Sequence, residues 1–193
     1  MIKRIFDVVA AGAALILLAP LLVVIAILVK VTSDGPALFR HERVGLNYER
    51  FEVLKFRTMR TGSSGAEITA AGDARITKVG AVLRNYKLDE LPQLINVVRG
   101  EMSIVGPRPE VAKYVELDGR YDVVLQTRPG LTDPASLKYR HEQTLLDEQD
   151  DPEIFYVQEL LPQKVSLAVD YVNNQSMRGD LQLILQTLRA IAS

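Results

Sequence analysis

The chain has 193 residues, a net charge of −1, 48% hydrophobic residues and no cysteine. That length suits one domain with a membrane segment, and the missing cysteine excludes a disulfide framework, a zinc–thiolate cluster and a thiol nucleophile. Charge is unevenly placed, with 15 Lys and Arg against 11 Asp and Glu in residues 1–110 and 8 against 13 in residues 111–193. This suits anionic lipid or an anionic small molecule near the N-terminal half, and is too weak for nucleic acid.

The first element is an uncharged apolar run from Val8 to Val29, with Pro20 inside it. Its 22 residues would reach roughly 33 Å as a helix, about the thickness of the hydrocarbon core. A proline inside a helix removes one backbone bond and pushes the preceding residue, Ala19, from helical geometry, so Ala19-Pro20 is the expected break. Lys3 and Arg4 precede the run, and Lys30, Arg40, Arg43 and Arg50 follow it. Positive charge marks the cytoplasmic side, and here both flanks carry it. The residues alone leave open a kinked span, a helix–break–helix that dips in and returns, and a signal peptide, although no small-x-small site precedes Lys30. Residues 1–30 thus form the membrane segment and 31–193 the catalytic or binding domain.

Pro36 to Val44 and Phe51 to Thr58 read as a β-hairpin turned at Gly45-Leu46-Asn47. Phe51, Val53, Lys55 and Arg57 share a face at period two, as an anion clamp or as a solvated edge. Residues 61–73 are a Gly- and Ser-rich loop, and a helix is expected from near Thr77 toward Tyr86. Leu91, Leu94, Ile95 and Val98 form a helical stripe that starts near Asp89, because Pro92 is tolerated only in a first turn, and that Gly100 ends. Asp150-Asp151-Pro152 marks another break, with helical stretches at 153–161 and 164–173. The tail from Asp180 to Ser193 is amphipathic, for packing on a core or lying in a membrane interface.

Asp89 and Glu90 at a helix start read either as caps or as chemistry. Paired carboxylates hold a divalent metal through oxygen, and a carboxylate attacks phosphorus when cations neutralise the target. Prolines on both sides of Arg108 would present its guanidinium rigidly to phosphate, and Arg128-Pro129-Gly130 repeats the theme. His41 and His141 have no metal spacing and read as structural or surface residues.

Taken in order, these motifs resemble those of the small monotopic phosphoglycosyl transferases, the bacterial sugar transferase family of undecaprenyl-phosphate sugar-1-phosphate transferases. The likeness runs through Lys3-Arg4 with Asp7, Ala19-Pro20, Gly35-Pro36, Arg43-Val44-Gly45, Lys55-Phe56-Arg57-Thr58-Met59, Arg75 with Thr77 and Gly80, Leu83-Arg84, the block Leu88 to Pro109, and Arg128-Pro129-Gly130-Leu131-Thr132. It implies an α+β, mostly helical fold with a re-entrant membrane helix, a small β-hairpin and interfacial amphipathic helices, at the cytoplasmic face of the bacterial inner membrane. It implies that Asp89 attacks a UDP-sugar and displaces UMP, and that polyprenol phosphate then takes the phosphosugar. Mg²⁺ is expected at Asp89 and Glu90, and substrate at Lys55, Arg57, Arg75, Arg84, Pro107, Arg108, Pro109 and Arg128. Two departures stand out: Asp133-Pro134-Ala135-Ser136 replaces a frequent Thr-Gly continuation, and Ala19 stands where Ser is frequent. Met1 directly before the membrane segment suggests the minimal form. The rival reading is a non-catalytic, membrane-anchored nucleotide-sugar or lipid-binding module. Sugar identity, pathway and any homo-oligomer are left open.

Overall fold

α1 runs unbroken from Ile2 to Thr32, with Pro20 inside it. The two half-helices expected around Ala19-Pro20 are therefore one helical element. The physical reason is packing on both sides of the proline. Ala11, Leu15 and Leu18 pack with Val53, Leu94, Val97 and Met102, while Leu22, Ile25 and Val29 pack with Phe56, Leu83 and Leu88. Those contacts outweigh the roughly 3 kcal/mol that an interior proline costs. The computed structural model describes residues 2–61 and 73–192, so the loop expected over 61–73 lies largely outside the described residues.

Both ends of α1 are tied to the same domain. At its start Lys3 donates to the Asp180 carboxylate (2.5 Å) and to the Val105 carbonyl (3.0 Å), and Arg4 donates to the Val97 and Val98 carbonyls. Asp7, buried in an otherwise apolar helix, accepts from the Ser103 hydroxyl and the Ile104 amide. At its end Arg57 donates to the Val29 and Ser33 carbonyls. Between these ties the outward side of the helix is apolar and bare, and Ile16 and Leu17 are each 80% exposed.

The hairpin forms as expected from β1 (Leu38–Val44) and β2 (Arg50–Phe56), antiparallel, with Phe39 opposite Lys55. The fully buried Asn96 of α3 (Gln93–Arg99) accepts from the Leu54 amide and donates to the Glu52 carbonyl, which fixes α3 against β2. α2 (Lys78–Asn85) is capped by Thr77 and presses onto the residues after the hairpin. A Cβ on Gly80 would stand 2.1 Å from the Thr58 carbonyl oxygen, so only glycine permits that approach.

β3 (Ser103–Val105) and β4 (Gly130–Thr132) pair in parallel. Short α4 (Ala112–Val115) and α5 (Tyr121–Val124) lie between them in sequence, and α6 (Pro134–Lys138) and α7 (Glu142–Asp147) follow. α8 (Pro152–Phe155) is capped by Asp151, as the sequence suggests, and passes through a π turn at Tyr156–Leu160 into α9 (Leu161–Asn173). The two expected stretches are thus one helical run. Pro162 has no donor for the ladder, and the wider turn just before it absorbs that loss. A core of Tyr114, Tyr121, Leu146, Tyr156, Leu160 and Val165 binds these helices together. α10 (Met177–Ala192) closes the chain, with Leu181, Leu185 and Leu188 exposed. The protein is mostly helical, with one small antiparallel sheet and a long apolar N-terminal helix.

Candidate active site

The dyad sits in a short 3₁₀ turn, Leu88–Glu90, just before α3. Lys87 enters that turn in a left-handed conformation (φ 55°), a conformation costing about 1 kcal/mol or more for a residue with a Cβ and one that clusters at functional sites. Pro92 precedes α3 and Gly100 ends it, so the turn that carries the dyad leads into a helix of fixed extent. Asp89 and Glu90 line a cavity of about 580 Å³ between the hairpin, α2, the Arg108–Val111 segment, α4, α7 and α9.

The two carboxylates have opposite surroundings. Glu90 accepts from Lys55 (3.0 Å) and from Arg108 (2.6 and 3.3 Å). Burial alone would raise its carboxyl, but the Arg108 and Lys55 charges outweigh that and hold it well below the usual carboxylate range. Asp89 is also buried, and its Oδ1 has no partner. Burial, then the neighbouring Glu90 charge, pushes its carboxyl up. One carboxylate is therefore locked as a counter-ion, while the other lines the cavity and has one oxygen, Oδ1, buried without a partner. Burial lowers Lys55, and the Glu90 charge raises Arg108.

Among the described residues, nine Lys and Arg side chains line the cavity against four Asp and Glu. Arg84 reaches it from α2, held by a bond from its Nε to the Thr58 hydroxyl (2.9 Å), with Nη1 buried and unpartnered. Arg57 is 6% exposed, and its Nε and Nη1 are likewise buried without partners. Unpaired buried donors are costly, so four orphaned atoms around one cavity, including Asp89 Oδ1, mark a place for a polyanion and its counter-cation. Arg75 also lines the cavity and forms an ion pair with Asp73.

The remaining expected residues have other tasks. Arg128 lies outside this cavity, and its Nε donates to the Gly100 carbonyl at the end of α3 (2.7 Å). Pro107 and Pro109 face a small cleft on the other side of their loop, so they frame Arg108 and do not line the main cavity. That frame is held by close backbone approach: a Cβ on Gly130 would stand 2.1 Å from the Gly106 nitrogen. Asp133, the departure noted in the sequence, is buried, caps α6 through the Ser136 amide and accepts from the Arg108 amide. Arg57 has a structural task as well as a cavity face, since it caps the end of α1. Ala19 and Pro20 are exposed on α1, away from the cavity.

The sequence reading set His41 aside, yet it lines the cavity, tilted against Phe39 and bonded to Arg43. It also missed a buried network at the far end. Glu110 accepts from Arg43 and Tyr156, and Lys164 donates to Tyr156 and Glu142. The usable signal was Glu110 directly after Pro109, together with a tyrosine and a lysine eight residues apart on one helical run.

Among the described residues no three His, Cys, Asp or Glu cluster as a metal cage. Mg²⁺ needs less, because it commonly takes one or two carboxylates and completes its shell with water and substrate phosphates. The orphaned Asp89 Oδ1 fits that donor set, and Glu90, whose oxygens are held by Lys55 and Arg108, stands beside it.

A family model described as bacterial sugar transferase matches residues 1–193. The chain is 40% identical to a UDP-glucose:undecaprenyl-phosphate glucose-1-phosphate transferase of Caulobacter vibrioides, over 98% of this chain and 69% of that protein. It is 38% identical to the exopolysaccharide production protein ExoY of Rhizobium meliloti, over 99% and 85%. It is 35% identical to a UDP-N-acetylgalactosamine-undecaprenyl-phosphate N-acetylgalactosaminephosphotransferase of Aeromonas hydrophila, over 98% of this chain and 43% of that longer protein. With a cationic cavity around one free buried carboxylate and this likeness along its whole length, the chain belongs to the bacterial sugar transferase family and is a transferase enzyme.

Proposed function

We propose that the enzyme moves a sugar 1-phosphate from a UDP-sugar to polyprenol phosphate through a covalent phosphosugar on Asp89. The observation that carries this reading is the unequal dyad: Glu90 saturated by Lys55 and Arg108, Asp89 free at Oδ1. In the first step a carboxylate oxygen of Asp89 bonds to the sugar-bearing phosphorus, and the phosphorus–oxygen bond to UMP breaks, so UMP leaves with the electron pair. In the second a phosphate oxygen of the acceptor attacks the same phosphorus and frees Asp89, giving a polyprenyl diphosphate sugar. Lys55, Arg57, Arg84 and Arg108 neutralise and orient the phosphates, the main demand of phosphoryl transfer. Mg²⁺, held by Asp89 with Glu90 and substrate phosphate, would supply further charge neutralisation.

The substrates live in different phases, and α1 is how one site meets both. The helix's two ends are bonded to one domain and its bare middle is apolar. A span would carry one end across the bilayer, whereas a helix that bends at Pro20 keeps both ends on the cytoplasmic face, matching cations at both flanks. The exposed leucines of α10 would lie in the same interface. The test is UMP release from a UDP-sugar panel with polyprenol phosphate, in Mg²⁺ and then in EDTA. Release with at least one sugar, abolished by EDTA and restored by Mg²⁺, is expected. No release with any sugar overturns the transfer reading, and full activity in chelator overturns the metal.

A further inference from the structure

The cavity changes character along its length. At the α1 end, Arg57, Arg60, Arg75, Arg84 and Lys87 line it among the described residues, with Asp73 paired to Arg75 and Asp89 the first carboxylate in that lining. This end touches the membrane helix, because Arg57 donates to Ser33 and Val29. Arg108 bridges to the other end: it is bonded to Glu90, and the Glu142 and Glu110 charges act on it from beyond. There the lining cations Arg43 and Lys164 are balanced by Glu110 and Glu142, with Tyr156 and Gln143 among them. A cationic end suits phosphates. A neutral end with alternating donors and acceptors suits hydroxyl groups.

We propose that the end formed by Glu142 and Gln143 of α7 and Lys164 of α9 is the sugar subsite, and that Glu142 and Gln143 set which hexose is accepted. This rests on the reading of Asp89 as the centre of transfer. In-line displacement puts entering and leaving oxygens on opposite sides of phosphorus. UMP therefore departs from the side opposite Asp89, and the acceptor phosphate arrives by that same side. The acceptor is anchored in lipid, so that side is the α1 end, where the cations are. The sugar stays on the phosphorus through both steps and needs a place on neither path, which is the end beyond Arg108.

The side chains there are set for that task. Lys164 is held between Glu142 (3.1 Å) and the Tyr156 hydroxyl (3.1 Å), which leaves its position fixed. The π turn at Tyr156–Leu160 places Tyr156 in the lining, and such turns recur at functional sites. Gln143 lines the cavity, is half-buried, and makes no side-chain hydrogen bond among the described residues. Its amide offers a donor pair and an acceptor, the chemistry that separates an axial from an equatorial hydroxyl. A site built to bond a substrate hydroxyl discriminates strongly against an analogue that misplaces it.

The test uses the full chain in lipid nanodiscs with polyprenol phosphate, and UMP release from UDP-glucose, UDP-galactose and their 2-acetamido counterparts. Gln143→Leu and Glu142→Gln are expected to change the kcat/KM ratio between the best sugar and its epimer by about 10-fold or more. Competitive inhibition by UMP, which carries no sugar, is expected to stay at its wild-type value. Gln143 holds no other residue, so its variant melts with the wild type and keeps the result readable should Glu142→Gln fail to fold. Equal loss for all sugars, an unchanged ratio, or weakened UMP inhibition overturns the subsite. Wild type that releases no UMP from any UDP-sugar overturns the function beneath it, and that silence tells the two failures apart.

Discussion

Arg57→Met separates a structural arginine from a functional one. In the folded protein Arg57 Nη2 donates to the Ser33 carbonyl at 2.7 Å and to its hydroxyl at 2.8 Å, with a longer bond to Val29 at 3.3 Å. Two good bonds from a charged donor are worth about 1.5–3 kcal/mol each. The charge at the end of α1 adds about 0.5 kcal/mol through the helix dipole. Against this, Nε and Nη1 are buried without partners, and each costs about 1–3 kcal/mol. Methionine fills similar space and removes the unpaired donors together with the bonds, so mid-range values leave a net loss of about 1 kcal/mol. For a chain of this length that is about 2–4 °C in Tm. Turnover is different, because two donors to a transferring phosphate are worth about 10²–10³-fold in rate. Circular dichroism melts in nanodiscs and UMP release read the two quantities side by side. A fall in Tm well beyond 10 °C, with the remaining folded enzyme nearly as active as wild type, would show that Arg57 only caps α1.

The anchoring of α1 is tested by Asp7→Ala, which strands the Ser103 hydroxyl and Ile104 amide inside the fold and should cost about 2–3 kcal/mol in thermal unfolding. Burial first, then the Arg43 and Lys55 charges, lower His41 to about 4 from 6.5. Between those values the unfolded chain binds the proton and the folded chain does not, so stability falls as pH drops from 6.5 toward 4. His41→Gln should flatten that slope in pH-dependent melts, and an unchanged slope contradicts the assignment. Topology is read with single cysteines at Ile2 and Asn174, in a chain that has none. Both are expected to label from the cytoplasmic side, and protection of the Ile2 position alone would mean that α1 crosses.

Local signals carried much of the fold. Alternation and the Gly45-Leu46-Asn47 turn located the hairpin, Gly100 closed α3, and Asp151-Pro152 started α8, because each acts within a few residues; α3 itself starts at Gln93 and not near Asp89, because Leu88–Glu90 forms a separate 3₁₀ turn. Long-range partners were not legible. Nothing near Arg128 says that its guanidinium meets Gly100, and nothing near Arg57 says that it caps a helix ending at Thr32. The parallel pairing of β3 and β4 joins two three-residue strands far apart in sequence, too short for any period to show. The contacts that flank Pro20 on both sides within α1 were not legible either. At the site, the dyad and its cations stood out as motifs, but the unequal state of the two carboxylates depends on which one Lys55 and Arg108 reach. The far network of Glu110, Tyr156, Lys164 and Glu142 is assembled by tertiary packing from separate elements. Asp7 was the available hint of α1 docking, since a carboxylate next to an apolar run must find donors.

The central claim is that Asp89 itself becomes bonded to phosphorus. The direct measurement is intact-protein and peptide mass spectrometry after incubation with UDP-sugar and Mg²⁺ and without acceptor. Wild type should gain the mass of one phosphosugar on the peptide containing Asp89, and lose it when polyprenol phosphate is added. Asp89→Asn should gain nothing. Turnover by Asp89→Asn at the wild-type rate, or release of UMP with no adduct at any time, would contradict the account.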